Sequence, residues 1–213
     1  MRNALFLAVI LLASPFARAQ QAAPASPEPE TLFGRILKRS SGYGAAVTRF
    51  SSFHGELAVL AGGYGGWFIN DRFLVGGGAY GLASGISAPD ADNRYPGKRS
   101  TWAMGYGGLV LEYTLHSKKL VHPSFNTLVG AGGVGKYVHG INNNNQDWQD
   151  YGYDNSGFFV VEPGANVEVN LTRWFRFGAG ASYRFIRGSN TSGITDAQLS
   201  APAGNVSLKF GGF

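Results

Sequence analysis

The sequence predicts an all-β fold, an antiparallel up-and-down transmembrane β-barrel of about eight strands, and three observations predict it. The first is the stretch 56–83, ELAVLAGGYGGWFINDRFLVGGGAYGLA, two apolar runs hinged at Asn70-Asp71. Each run is long enough for a tilted membrane-spanning strand, which needs roughly 9–11 residues, and is too broken by glycine for a good membrane helix. Asn and Asp accept left-handed backbone angles cheaply, so a tight turn joins the two runs. The second is a period of two, in which apolar residues alternate with polar ones along single segments. The third is the spacing of connections: 70–71, 116–119 and 171–173 are tight, whereas 85–100, 139–156 and 188–203 are long. Short turns on one side and long loops on the other are the pattern of barrels that cross an outer membrane. The connection at His54-Gly55 is the exception, being short on the long-loop side.

In chain order, residues 1–19 have a basic residue at Arg2, an apolar run over 4–13 and Ala17-Arg18-Ala19 as a small-x-small cleavage site. This predicts a secretory signal removed after Ala19. Residues 20–42 form a lead-in. QQAAPASPEPE, over 20–30, is Pro- and Ala-rich and predicts a disordered periplasmic linker. Over 31–39, Leu32, Phe33, Ile36 and Leu37 share one helical face with Arg35, Lys38 and Arg39 elsewhere, so a short interfacial helix competes with a lead-in to the first strand. Residues 43–213 then divide into strands near 43–53, 56–69, 72–84, 101–115, 122–138, 157–170, 174–187 and 204–213.

Alternation assigns the faces. Over 158–171 the odd positions Phe159, Val161, Ala165, Val167 and Val169 are apolar and meet lipid, while Glu162, Asn166 and Glu168 point to the lumen. Over 174–186 Phe175, Phe177, Ala179, Tyr183 and Phe185 face out against Arg176 and Arg184. Trp67, Phe68, Trp102, Tyr113, Trp174 and Phe175 stand at strand ends as aromatic girdles, which a soluble sandwich would not need. The expected lumen charge network is Glu112, Glu162, Glu168, Arg176, Arg184 and Lys209. It fills an interior that eight strands make just wide enough for side chains.

Composition agrees with this reading. The chain has 32 Gly, 14% aromatic and 15% charged residues, where soluble domains carry about 25% charge. It has no Cys, so disulfide staples and thiol chemistry are excluded. Loss of Arg2 and Arg18 with the leader takes the formal charge from +5 to +3, ordinary for a surface and compatible with anionic lipopolysaccharide.

The last stretch, NVSLKFGGF, alternates Val206, Leu208 and Phe210 against Asn205, Ser207 and Lys209 and ends on Phe213. A terminal aromatic on an alternating last strand resembles the signal read by the barrel-assembly machinery, although the extra Gly puts Phe213 out of phase with Phe210. Residues 43–213 resemble the small eight-stranded outer-membrane barrels of the OmpA and OmpX type. The blocks GELAVLAGGYGGWFIN, MGYGGLVLEY, TLVGAGGVG, EPGANVEVNLTRWFRFGAGASYR and SLKFGGF resemble a family of glycine-rich bacterial outer-membrane proteins. The resemblance implies fold and an outer-membrane location in a Gram-negative envelope, and it carries no activity across.

Motifs that would carry chemistry are weak. Residues 130–135 match G-x-G-x-x-G, and 130–136 match most of a P-loop, with Tyr137 where Ser or Thr must hold magnesium. Both fall inside an expected strand of an exported chain, so neither a nucleotide cofactor nor a nucleic-acid partner follows. Residues 185–190 resemble the His-x-Ser-Asn stretch of lipid A deacylase barrels, with Arg187 where the base belongs, so Ser189 lacks local activation. His54 and His139 are the histidines expected at the outer end, and His116 and His122 at the periplasmic end. Asp90, Asp92 and Asn93 read as a solvated turn rather than a metal site.

The expected function is therefore a non-enzymatic, structural or surface-interacting monomer with a filled lumen and no cofactor or metal. The alternatives are a lipid A-modifying enzyme and a narrow porin-like channel. Recognition of an extracellular ligand is expected in 139–156, HGINNNNQDWQDYGYDNS, through Trp148, Tyr151 and Tyr153 beside Asp147, Asp150 and Asp154.

Overall fold

The computed structural model describes residues 40–88, 97–141 and 149–213, with the side chains of 139–141, 149–151 and 153 left aside. The leader, the linker, the 31–39 segment and Asp90, Asp92, Asn93, Asp147 and Trp148 lie outside the described residues, as do the side chains of His139, Asp150, Tyr151 and Tyr153.

Eight antiparallel strands follow one another around a closed barrel: β1 Ser40–Phe53, β2 Glu56–Ile69, β3 Phe73–Leu82, β4 Ser100–Thr114, β5 Val121–Ile141, β6 Gln149–Asn170, β7 Phe175–Arg187 and β8 Ala201–Gly211. Each strand pairs with the next, and β8 returns to β1 through a register that includes Val47↔Ser207 and Tyr43↔Gly211, so the sheet has no free lateral edge along the barrel wall. A one-turn helix, α1 Asp196–Leu199, lies before β8, capped by Thr195 in a reciprocal box with Gln198.

The turns form where the residues tolerate them. Asn70 and Asp71 sit at φ 53° and 57°, and Arg72 N donates to Ile69 O at 3.1 Å to close the β2–β3 turn. His54 and Gly55, at φ 54° and 84°, make the β1–β2 turn, short as expected. The supposed nucleotide-binding glycines lie within β5, with strand on both sides. A side chain at Gly132 would come within 2.4 Å of both Gly105 O and Tyr106 Cβ, so the residue is small because a large inward tyrosine occupies that space.

The largest difference from the expected boundaries is at the β5–β6 connection, and β8 runs Ala201–Gly211 where 204–213 was expected. The β5–β6 connection was expected to run as an open loop over 139–156, but β5 continues to Ile141 and β6 begins at Gln149. Val138 pairs with Tyr151 and Lys136 with Tyr153, past a bulge between Val134 and Lys136. The polar composition of QDYGYDNS hides a strand that the neighbouring length of β5 templates, because backbone pairing needs no apolar face. The last β7 partner of β6 is Phe159, so the hairpin rises beyond β7.

Candidate functional site: the lumen and its two ends

The barrel is inside-out. Along β6, β7 and β8 every expected lumen residue is buried and every expected lipid-facing residue is turned outward. Glu112, Glu162, Glu168, Arg176, Arg184 and Lys209 are all at most 2% exposed. On the outside, Trp67, Phe73, Phe125, Trp174 and Phe210 ring the short-turn end, while Phe50, Leu57, Tyr137, Phe159 and Phe185 ring the other. Ten residues of β2 separate Leu57 from Trp67, about 33 Å of strand, or about 25 Å of height at a tilt near 40°. That is the height of an outer-membrane apolar band.

The six expected charges separate into two clusters and one isolated cation. Near the short-turn end, Lys209 Nζ donates to Glu112 Oε1 at 2.7 Å and to Glu168 Oε1 at 2.5 Å. Tyr43 and Tyr64 donate their hydroxyls to the two oxygens of Glu112 at 2.5 and 2.6 Å. Glu168 also accepts from Ser124 and lies 3.4 Å from His122 Nε2 and 3.9 Å from Arg176 Nη1. Higher in the barrel Glu162 pairs with Arg49, while Tyr106 and Ser182 donate to it at 2.7 and 2.8 Å. The Arg49 guanidinium also lies 3.6 Å from the Tyr80 ring centroid. Each of these carboxylates faces a cation and at least one hydroxyl donor, the partners that a buried carboxylate needs in a low-dielectric interior.

Arg184 differs from expectation. It was placed beside the lumen glutamates, but it donates to the carbonyls of Leu199 at 2.9 Å and Ser52 at 3.4 Å. Its backbone position lies across from Glu162, between the pairs Val161↔Phe185 and Gly164↔Ser182, yet its side chain reaches the β7–β8 connection, which offers a carbonyl instead. Arg49, Tyr43, Tyr64, Tyr80, Tyr106 and His122 were missed. The signal that could have found Tyr64, Tyr80 and Tyr106 is the inward parity of β2, β3 and β4.

Both ends are stoppered. At the outer end Phe53 and Trp102 pack at 6.0 Å between ring centroids, and Ile86, Ile194 and Leu199 from the connections fold over them, all buried. At the short-turn end Phe213 turns inward against Tyr43 at 5.0 Å and Phe68 at 6.4 Å, with Arg176 stacked 3.7 Å from its ring. Phe213, three residues after the outward Phe210, falls on the inward parity of Ser207 and Lys209, and Gly211, at φ 153°, lets the chain pass close to Gly42 O. Between the stoppers, a cavity beside Arg49, Tyr64, Tyr80 and Asn166 measures about 10 Å³, near the minimum for one water.

At the outer mouth, Asp154 is part of β6 and does not stand in an open recognition loop. It pairs with Lys136 at 3.3 Å and accepts from Ser192 N at 3.1 Å, tying the β7–β8 connection to the hairpin. Asp196 accepts from the backbone N–H groups of Gly188 and Ser189 at 3.0 and 2.9 Å. His54 Nε2 lies 3.2 Å from Gly193 O, and no hydrogen bond among the described residues joins it to Ser189.

No protein-family model matches the sequence, and no curated protein matches it. Among solved structures, the chain is similar to the N-terminal beta-barrel domain of Pseudomonas aeruginosa OprF, at 14% identity and a TM-score of 0.43 over 80% of this chain and 96% of that one. It is similar to Neisserial surface protein A at 17% and 0.47, over 81% and 95%, and to Ail, the attachment invasion locus protein of Yersinia pestis, at 14% and 0.42, over 81% and 96%. The architecture stands on the closure of the sheet itself. An inside-out barrel of eight antiparallel strands is that of the small outer-membrane barrels the sequence resembles.

Proposed function

We propose that the chain is an integral outer-membrane protein with a closed lumen, acting as a structural wall element that holds a raised hairpin at the cell surface. The observation that carries this is the reversal of polarity: an apolar band about 25 Å tall outside, and paired charges buried inside. Exposed apolar area on this scale is a liability in water and is satisfied in a bilayer. The stoppers and the ion-paired interior favour this over the channel reading. The role proposed is non-enzymatic; among the described residues His54 Nε2 lies against Gly193 O rather than Ser189.

Surface recognition is proposed for Trp148, Tyr151 and Tyr153 beside Asp147, Asp150 and Asp154, because the described parts of β5 and β6 that lead to this segment extend past the last β7 partner of β6. The reading takes lipid and lipopolysaccharide as neighbours of the wall, the last strand as what the assembly machinery recognises, and a monomer as the working state. The test is fractionation of cells expressing the whole protein. It is expected in the outer membrane, without residues 1–19, and with a gel mobility that shifts on boiling because the barrel has no edge from which to unzip. Recovery as a soluble periplasmic protein overturns the reading.

A further inference from the structure

The three short turns carry an unusual excess of cations. Arg72, Lys118, Lys119 and Arg173 are exposed there, and among the described residues of these turns the carboxylate is Asp71, held 3.2 Å from Lys118. We infer that this end binds the phosphate headgroups of anionic phospholipids in the inner leaflet, in two grooves either side of Lys118. The inference rests on the outer-membrane reading, which puts the short turns in the periplasm.

The grooves are built rather than incidental. One, of about 510 Å³, lies between the 70–72 and 115–119 turns and is lined by Arg72, Tyr113, His116, Lys118 and Lys119. The other, of about 470 Å³, is lined by Lys118, Thr172, Arg173, Arg176 and Phe213. The turn between them is fixed from inside the barrel. Ser117 O accepts from Asn170 Nδ2 at 2.9 Å and from Arg176 Nη2 at 3.2 Å, and Lys119 O accepts from Asn170 Nδ2 at 2.7 Å. The turn's negative carbonyl ends are thereby drawn into the lumen, and its lysines are presented outward at a fixed height.

A second observation points to an anion. Arg176 lines the 470 Å³ groove although it is 2% exposed, and its Nε has no hydrogen-bond partner among the described residues. Its carboxylate neighbour, Glu168, is 3.9 Å away and already bonded to Lys209. The buried guanidinium, met by one carboxylate at 3.9 Å, adds its charge to the exposed Arg173 and Lys118 and the Thr172 hydroxyl of the same groove, a set that matches a phosphate.

Depth selects the lipid as the source. Lys119 is followed by the exposed Leu120, and Arg173 is followed by the exposed Trp174, so each cation sits where an aromatic and aliphatic rim ends. That is headgroup level, where basic residues attract anionic lipid.

The experiment is native mass spectrometry of the whole protein from mixed micelles, titrated with phosphatidylglycerol or with phosphatidylethanolamine of the same acyl chains. Phosphatidylglycerol should be retained in preference. The combined variant Lys118→Gln, Lys119→Gln, Arg173→Gln should lose about fivefold or more of that retention while still shifting on boiling. Lys119→Glu alone, at an exposed position, is a second variant and should weaken retention in the same direction. Equal retention of the two lipids, or retention unchanged in the variants, overturns the inference and leaves the outer-membrane reading standing. Inorganic phosphate that displaces the lipid completely at millimolar concentration would show a free-anion site instead. A parent protein that is soluble and does not shift on boiling overturns both.

Discussion

Lys209 is the cation shared by Glu112 and Glu168, and removing it leaves two buried carboxylates facing each other. Breaking a buried pair by deleting one partner costs about 3–5 kcal/mol, whereas replacing all partners is often near neutral. Lys209→Met should therefore lower the urea stability of the folded barrel by about 3–5 kcal/mol, and adding Glu112→Gln, which removes one of the two carboxylates and leaves Glu168 beside Arg176, should recover part of it. A single variant as stable as the parent would show that the network is not held together by this contact. Arg49→Met should behave similarly through Glu162. At this scale the sequence was partly legible. The charges on β4, β6, β7 and β8 stand in clear alternation, so their facing could be read. Arg49 was not, because β1 alternates small and polar residues on both faces, with Gly44, Ala46 and Thr48 outward against Ala45, Val47 and Arg49 inward, and no amphipathic contrast marks the inside.

The strands themselves were largely legible because turn residues and period-two patterning agreed along most of the chain. The outer part of the β5–β6 hairpin was not, since its pairing comes from a partner strand and leaves no mark in local hydropathy. A deletion of 142–148 should consequently leave heat-modifiable folding intact and abolish surface binding in a cell-adhesion or glycan-array assay. A deletion that extends through 149–156 removes strand and the Asp154 contacts to Lys136 and Ser192, and should lower stability as well. If the shorter deletion binds as the parent does, recognition lies elsewhere on the surface. Facing can be tested at two depths. Ala181, outward and paired with Ala165, lies mid-strand, so Ala181→Arg should cost about 2–4 kcal/mol, while Val167→Arg, nearer the short-turn girdle, should cost less. Equal costs, measured by urea unfolding from lipid vesicles, would contradict the height assigned to the band.

As a whole molecule the barrel is polar across the membrane as well as from inside to outside. Its short turns carry Arg72, Lys118, Lys119 and Arg173, and its outer end carries the hairpin and the folded-in connections. The chain has no Cys, so single cysteines report orientation cleanly. Lys119→Cys should resist a membrane-impermeant maleimide in intact cells and react after the envelope is opened, and labelling in intact cells would invert the topology. The claim on which the rest depends is that this wall encloses a filled interior, with Phe53, Trp102 and Leu199 at one end, Phe68 and Phe213 at the other, and paired charges between. Ion conductance across planar bilayers tests it most directly, using protein whose insertion is confirmed by its heat-modifiable gel shift. The account predicts no steady conductance above the bare bilayer; steady unitary steps from the inserted parent protein would contradict it.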